Sequence, residues 1–411
     1  MKRLVPCAVL ALLLVAPFVA AAADSSPTFT KDVAPILYKN CVECHRTTMF
    51  APMPLVTYQD ARPYAQAMKR RVVARQMPPW NADPAFGHFK NDPTLTVQEV
   101  DTIARWADGG APKGDDRDLP KLPQMADGWT IGKPDAVFSM AEPFRIPANG
   151  AVDYQYIRIP VNLPEDRWLQ AIEIKPGARA QVHHVIAYTQ PSGQPVSEGG
   201  VLGPNNIGGV TPNKPGLTFP PGVARLMRGK QDIILQMHYT TNGTEALDRT
   251  EVGLIFAKEA PAKVAAGGLV INPRFVISPN DGNYEVRAVS NLTEDTVLTS
   301  MTPHMHVRGK DMIYIAHYPD GREETLLSVP HYDFNWQITY ELAEPKVLPK
   351  GTKVEVVAHF DNSPNNKFNP DPTKAVKWGD QTWEEMMIGF FATVREAPKT
   401  GSPTGGAGAQ Q

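Results

Sequence analysis

Met301-Thr302-Pro303-His304-Met305-His306-Val307 sets two histidines one residue apart in β-compatible sequence. On a strand, alternate side chains share a face, so His304 and His306 would present two imidazoles side by side. Such a pair suits zinc, copper or iron once a third ligand completes the site. The alternative is a pair of ordinary strand residues. The β pattern extends outward from this stretch. Tyr154 to Ile159, Trp168 to Ile174, Ile233 to His238 and Lys353 to Val357 are strand-like runs, punctuated by prolines and glycines, of which the chain has 40 and 31. Short strands separated by such turns predict β-sandwiches.

Three further stretches carry ligand-type residues: Gln181-Val182-His183-His184-Val185, Leu235-Gln236-Met237-His238-Tyr239 and Trp383-Glu384-Glu385-Met386-Met387. Neighbouring histidines face opposite ways on a regular strand. His183 and His184 can therefore share an ion only if a strand end or bulge turns one of them, or if different ring nitrogens bind. The alternative is one buried histidine beside an exposed one. Three imidazoles suit copper and zinc alike, and Met386 alone reads as core packing.

Taken in order, the paired histidines, the single histidine, His-x-His and Glu-Glu-Met resemble the copper type II, ascorbate-dependent monooxygenases, the family of peptidylglycine α-hydroxylating monooxygenase and dopamine β-monooxygenase. The resemblance spans roughly residues 130 to 396, and the ordered set is more specific than any one motif. It implies two jelly-roll-like modules, residues 129–264 and 265–396, with a boundary in the turn-rich region from Lys258 to Gly268. It also implies two copper ions, one on His183, His184 and His238 and the other on His304, His306 and Met386, with Met387 as a neighbour. The thioether of Met386 favours Cu(I) and argues against zinc there. The implied catalytic residues are His304, His306 and Met386, where dioxygen and a substrate C–H bond would meet. The peptide-hydroxylating relatives hold substrate through an arginine two residues before His-x-His and a tyrosine four residues after the copper methionine. Thr302 and Phe390 stand there in this chain, so the resemblance implies a less charged small organic substrate than a peptide carboxylate.

Lys2 and Arg3, an apolar run from Leu4 to about Ala20 and the small residues Ala21 to Ala23 read as a secretory signal over residues 1–23. The competing reading is an uncleaved anchor, against which Pro17 and the Ala-x-Ala ending stand. The expected location is exported, in the periplasm, with no stable membrane span after cleavage. A formal net charge of −2 with no basic tract excludes a phosphate-tracking nucleic-acid binder. Apart from Cys7 the chain has only Cys41 and Cys44. No structural disulfide remains if both are engaged, and no thiolate remains for a blue-copper centre.

Cys41-Val42-Glu43-Cys44-His45 is the c-type haem attachment sequence, in which two thiols bond the haem vinyl groups and the histidine becomes an axial iron ligand. A redox-active C-x-x-C pair and half a zinc site are the alternatives, and the adjacent histidine without a second cysteine pair disfavours both. Val33, Ile36 and Leu37 lie at helical spacing before the motif. After it, Thr96-Val97-Gln98-Glu99 is a capping box that opens a helix with Val100, Ile103, Ala104 and Ala107 on one face. Helix, motif, loop and terminal helix resemble a small class I cytochrome c. Met77, before Pro78 and Pro79, is the expected sixth ligand, with Met53 second and Met49 and His88 behind, while Met68 reads as a core residue on a helix from about Asp60 to Arg75.

The expected fold class is therefore multidomain: a small all-α cytochrome c domain over residues 24–118, a connector over 119–128, two all-β jelly-roll-like sandwich modules, and a low-complexity disordered tail over 397–411. The expected function is C–H hydroxylation with O2, with one covalent haem c relaying electrons from a periplasmic donor. A haem and copper electron-transfer or reductase protein, a zinc hydrolase and a binding module without activity are the rival classes.

Overall fold

The computed structural model describes residues 26–47, 49, 51–124, 128–197, 200, 202–203, 205–211 and 216–397. The expected signal over residues 1–23 and all of the expected tail but Ala397 lie outside the described residues. Among the described residues, no helix is long and apolar enough to cross a membrane.

The expected fold class is corrected by the structure, which is predominantly β and, among the described residues, contains no sizeable all-α domain. The α-helices are Ala34–Asn40, Tyr58–Ala61, Ala65–Val73 and Val97–Asp108, and the longest has 12 residues. One helix was expected from about Asp60 to Arg75. It is instead interrupted by a 3-10 turn at Arg62–Tyr64, because Pro63 lacks the amide hydrogen that an α-helix interior requires. The helices cover a small core of Phe29, Leu37, Leu55, Met68, Ile103 and Trp106. The capping box at Thr96 and Glu99 forms with both of its reciprocal hydrogen bonds.

The N-terminal region does not close on itself. Its proline-rich loop leaves the helices and lies along the β body. Asp83 N donates to Ser328 O at 2.8 Å, Lys90 N to Glu341 O at 2.9 Å, and Ala343 N to His88 O at 2.8 Å. Trp80 and Phe89 pack edge-on against Tyr340, with ring centroids 4.8 and 5.5 Å away.

The β body also departs from two separate sandwiches. One nine-stranded sheet runs through both halves in the order Ala136–Ser139, Glu251–Phe256, Arg167–Lys175, Val223–Met227, Lys263–Ile271, Ile388–Glu396, Thr296–His304 and Tyr340–Leu348, with Gly216–Thr218 paired to Arg167–Lys175. Two four-stranded sheets pack on it. Gln155–Ile159, Gln231–Tyr239, Val182–Pro191 and Asn206–Val210 cover the first half, and Tyr284–Asn291, Lys353–Phe360, Gly309–His317 and Glu323–Val329 cover the second. Inward residues such as Leu169, Leu254, Val185 and Leu235 form one core, and Met301, Phe391, Tyr314 and Val356 another. The halves are stitched by parallel pairing of Lys263 with Val223 and Val264 with Ala224. The division expected between residues 264 and 265 thus falls within the strand Lys263–Ile271.

Candidate metal centre between the two halves

His183 and His184 open the strand Val182–Pro191, and His238 ends a strand pair with them. Cα register places Val182 opposite Tyr239 and His184 opposite His238, so His183 is an extra residue on its strand. That bulge turns His183 onto the face of its neighbour, which a regular pleat forbids. The ligand atoms of His183, His184 and His238 all lie within 4.8 Å of one another. The Nδ1 atoms of His183 and His184 are 3.0 Å apart, and those of His238 and His184 are 3.4 Å apart. Two nitrogens bound to one ion at tetrahedral angles are separated by about 3.3 Å, so the spacing fits a shared metal.

His304 is the last residue of its strand, and His306 lies just beyond it. The two rings are 5.4 Å apart and nearly perpendicular, at 89°. They are brought together by the chain turning out of the sheet rather than by strand alternation. His304 Nδ1–H donates to Gln337 Oε1 at 2.9 Å, and His306 Nδ1–H donates to the Glu384 carbonyl at 3.1 Å. Each bond fixes the tautomer that leaves Nε2 with a free lone pair. His306 Nε2 is buried without a partner. A polar atom left so in a native interior points to an absent partner.

Met386 is buried two residues before Ile388, the cross-strand partner of His304. It lines a cleft together with His184, His304, Tyr154, Ile186 and Phe390. Beside it, Glu385 is fully buried and accepts the backbone N–H groups of His306 at 2.8 Å and Arg308 at 2.6 Å. Burial pushes its carboxyl up to about 8, against the pull of these amides and of the Arg308 guanidinium. Arg308, itself buried, donates to Asn362 Oδ1 and the Trp383 carbonyl. Glu385 and Arg308 therefore tie the Met386 segment to the His306 segment.

Burial lowers the basicity of all five imidazoles, to about 4 for His183 and His304, to about 3 for His306, and well below the ordinary value for His184 and His238. Neutral imidazole is the metal-binding form. The two ligand sets are neighbours, since the His184 and His304 rings are 6.4 Å apart. Thr302 and Phe390 are direct cross-strand partners, and Phe390 faces the cleft with its ring 6.1 Å from that of His304.

Met237, Met305 and Met387 are fully buried in the sandwich cores. His317 pairs with Glu323 and Glu355, and His359 with Asp311, on the second four-stranded sheet. Sequence reasoning missed Gln337, Glu385 and Phe334 as partners of the site. The aromatic turn after His331 was the available signal for Phe334.

At the N-terminal motif, Cys41 and Cys44 are free thiols in the turn that follows the helix Ala34–Asn40. Burial raises both, Cys41 up to about 12 and Cys44 up to about 11. His45 Nδ1–H donates to the Met53 carbonyl at 3.1 Å, which leaves the Nε2 lone pair free of that bond. Met77 opens the loop that leads to Trp80.

Comparison with protein-family models finds none that matches, and comparison with curated protein sequences likewise finds no match. Among solved structures, the major capsid protein P2 of bacteriophage PM2 is similar over 60% of this chain and 99% of its own, at 11% identity and a TM-score of 0.23. The infectious bursal disease virus Gx strain structure is similar over 66% and 72%, at 10% identity and a TM-score of 0.18. Allantoicase is similar over 53% and 79%, at 9% identity and a TM-score of 0.16.

Proposed function

We propose that the chain is an exported copper-dependent monooxygenase that hydroxylates a C–H bond of a small organic substrate with dioxygen, and that haem c on Cys41, Cys44 and His45 relays electrons to it from a periplasmic donor. The observation that carries the reading is that His184 of the clustered three-imidazole set lines one cleft with His304 and Met386 of the other set, while His306 Nε2 is buried without a partner. His183, His184 and His238 would hold one copper, and His304, His306 and Met386 the other. When bound, the two coppers would supply the one-electron chemistry with dioxygen.

The remaining work belongs to the chain. Gln337 and the Glu384 carbonyl hold His304 and His306 in the tautomers that offer Nε2. Burial keeps the imidazoles neutral and spares them competition from protons. Ile186, Leu202, Ile388 and Phe390 give the cleft an apolar wall that suits a carbon skeleton, and Gln236 and Asp380 line it as polar groups. Tyr154 packs edge-on against His238 at 4.7 Å and lines the same cleft. With Thr302 and Phe390 in the positions that hold a peptide carboxylate in the relatives, the cleft lacks a cation there for such a group.

Oxygen uptake by copper-loaded protein across a panel of small organic substrates tests the proposal. Substrate-dependent uptake matched by hydroxylated product is expected. Binding of two coppers with no substrate-dependent uptake would move the chain to the class of haem and copper electron-transfer proteins.

A further inference from the structure

Phe334 touches imidazoles of both ligand sets. Its ring stacks on His183 with centroids 5.1 Å apart and planes at 17°. It lies 5.9 Å from His238 and meets His306 edge-on at 6.0 Å. Phe334 is absent from the walls of the cleft. It fills a different side of the junction from the one open to substrate.

The loop that carries it belongs to the second half. Tyr332 clamps the Met305 backbone, donating from its hydroxyl to the carbonyl at 2.7 Å and accepting from the N–H at 3.1 Å. Gln337, at the other end of the loop, holds His304. Between these anchors Trp336 N donates to Asp333 O and Asn335 N to Asp333 Oδ1, which closes a turn with Phe334 at its centre. The ring thus projects from the His304 and His306 side onto the imidazoles of the first half.

We propose that Phe334 is a positioning residue that sets the spacing between the two metal sites. The inference rests on the copper reading above. Besides Phe334, His184 approaches His304 at 6.4 Å, Thr382 Oγ1 lies 3.4 Å from His238 Nε2, and His183 and Tyr154 hydrogen-bond to Asn335 and Thr382 across this junction. None of these fills volume. A stacked aromatic ring does, and it excludes the water that would otherwise occupy the gap between His183 and His306.

Electron paramagnetic resonance of the full chain loaded with Cu(II) reads the spacing without reference to turnover, because magnetic dipolar coupling falls with the cube of separation. Wild type and F334Y, which keeps the ring, are expected to bind two Cu(II) per chain and to show a half-field transition. F334A is expected to bind the same copper and lose that transition. F334L, which retains most of the volume and lacks the ring face, repeats the measurement if F334A does not fold. A half-field transition undiminished in F334A or F334L overturns the wedge alone. Two magnetically isolated ions in wild type also overturn it. Fewer than two coppers in wild type overturns the copper reading and the inference with it.

Discussion

The buried carboxyl of Glu385 shows how much the site depends on groups that are not ligands. It is the acceptor for two amides, those of His306 and Arg308, and it faces the Arg308 guanidinium. Glu385→Ala leaves those two donors buried without their acceptor, and each buried polar group so stranded costs about 1–3 kcal/mol. Chemical denaturation should show a loss of that size. Met386→Leu preserves shape while removing the sulfur, so stability should change by less than about 1.5 kcal/mol while Cu(I) stoichiometry, measured by chelator competition, falls by one ion per chain. The order of histidines and methionine in the chain was enough to nominate all six candidate ligands. It could not show that Gln337 orients His304, because a lone glutamine in a loop has no pattern. Nor could it show which of two adjacent histidines a bulge would turn, since bulge position depends on the register of a partner strand about fifty residues away.

At the level of single elements, local chemistry was most legible where it closes on itself. The box of Thr96 and Glu99 needs only four residues, and it caps the helix Val97–Asp108 as its sequence requires. That helix buries Ile103, Trp106 and Ala107, so its first turn supports the whole small core. Thr96→Ala should lower stability by about 1 kcal/mol, read as a fall in Tm. On the second four-stranded sheet, His317 lies between Glu355 and Glu323, at 2.8 and 2.9 Å, and these carboxylates raise its basicity above the ordinary imidazole range. The folded state therefore holds a proton that the unfolded chain releases earlier as pH rises. Its stabilisation is complete below the unfolded imidazole value of about 6.5 and is lost as pH rises through the higher folded value. His317→Gln should accordingly lose stability relative to wild type at pH 5 and converge on it at pH 9, in paired denaturation curves.

The whole molecule departs furthest from what the sequence announced, and for one reason. Strand pairing between distant segments leaves no local trace. The parallel contact of Val223–Met227 with Lys263–Ile271 fuses two expected sandwiches into a shared sheet. In the same way, Trp80 and Phe89 read as loop aromatics until Tyr340 is seen to receive them. This last contact joins the segment bearing the haem motif to the strand beside Thr296–His304, since Tyr340 pairs with Met301. If haem c relays electrons to copper, this rigid seam should matter to the rate. Rapid mixing of chain carrying reduced haem with oxidant should show faster haem oxidation with copper loaded than without it. Trp80→Ala removes a half-buried indole at a cost of about 2 kcal/mol, loosens residues 80–91 in hydrogen exchange, and should slow the copper-dependent phase while sparing reduction of the haem by small reagents. A haem oxidation rate indifferent to copper would end the relay and leave the two metal functions merely joined in one chain.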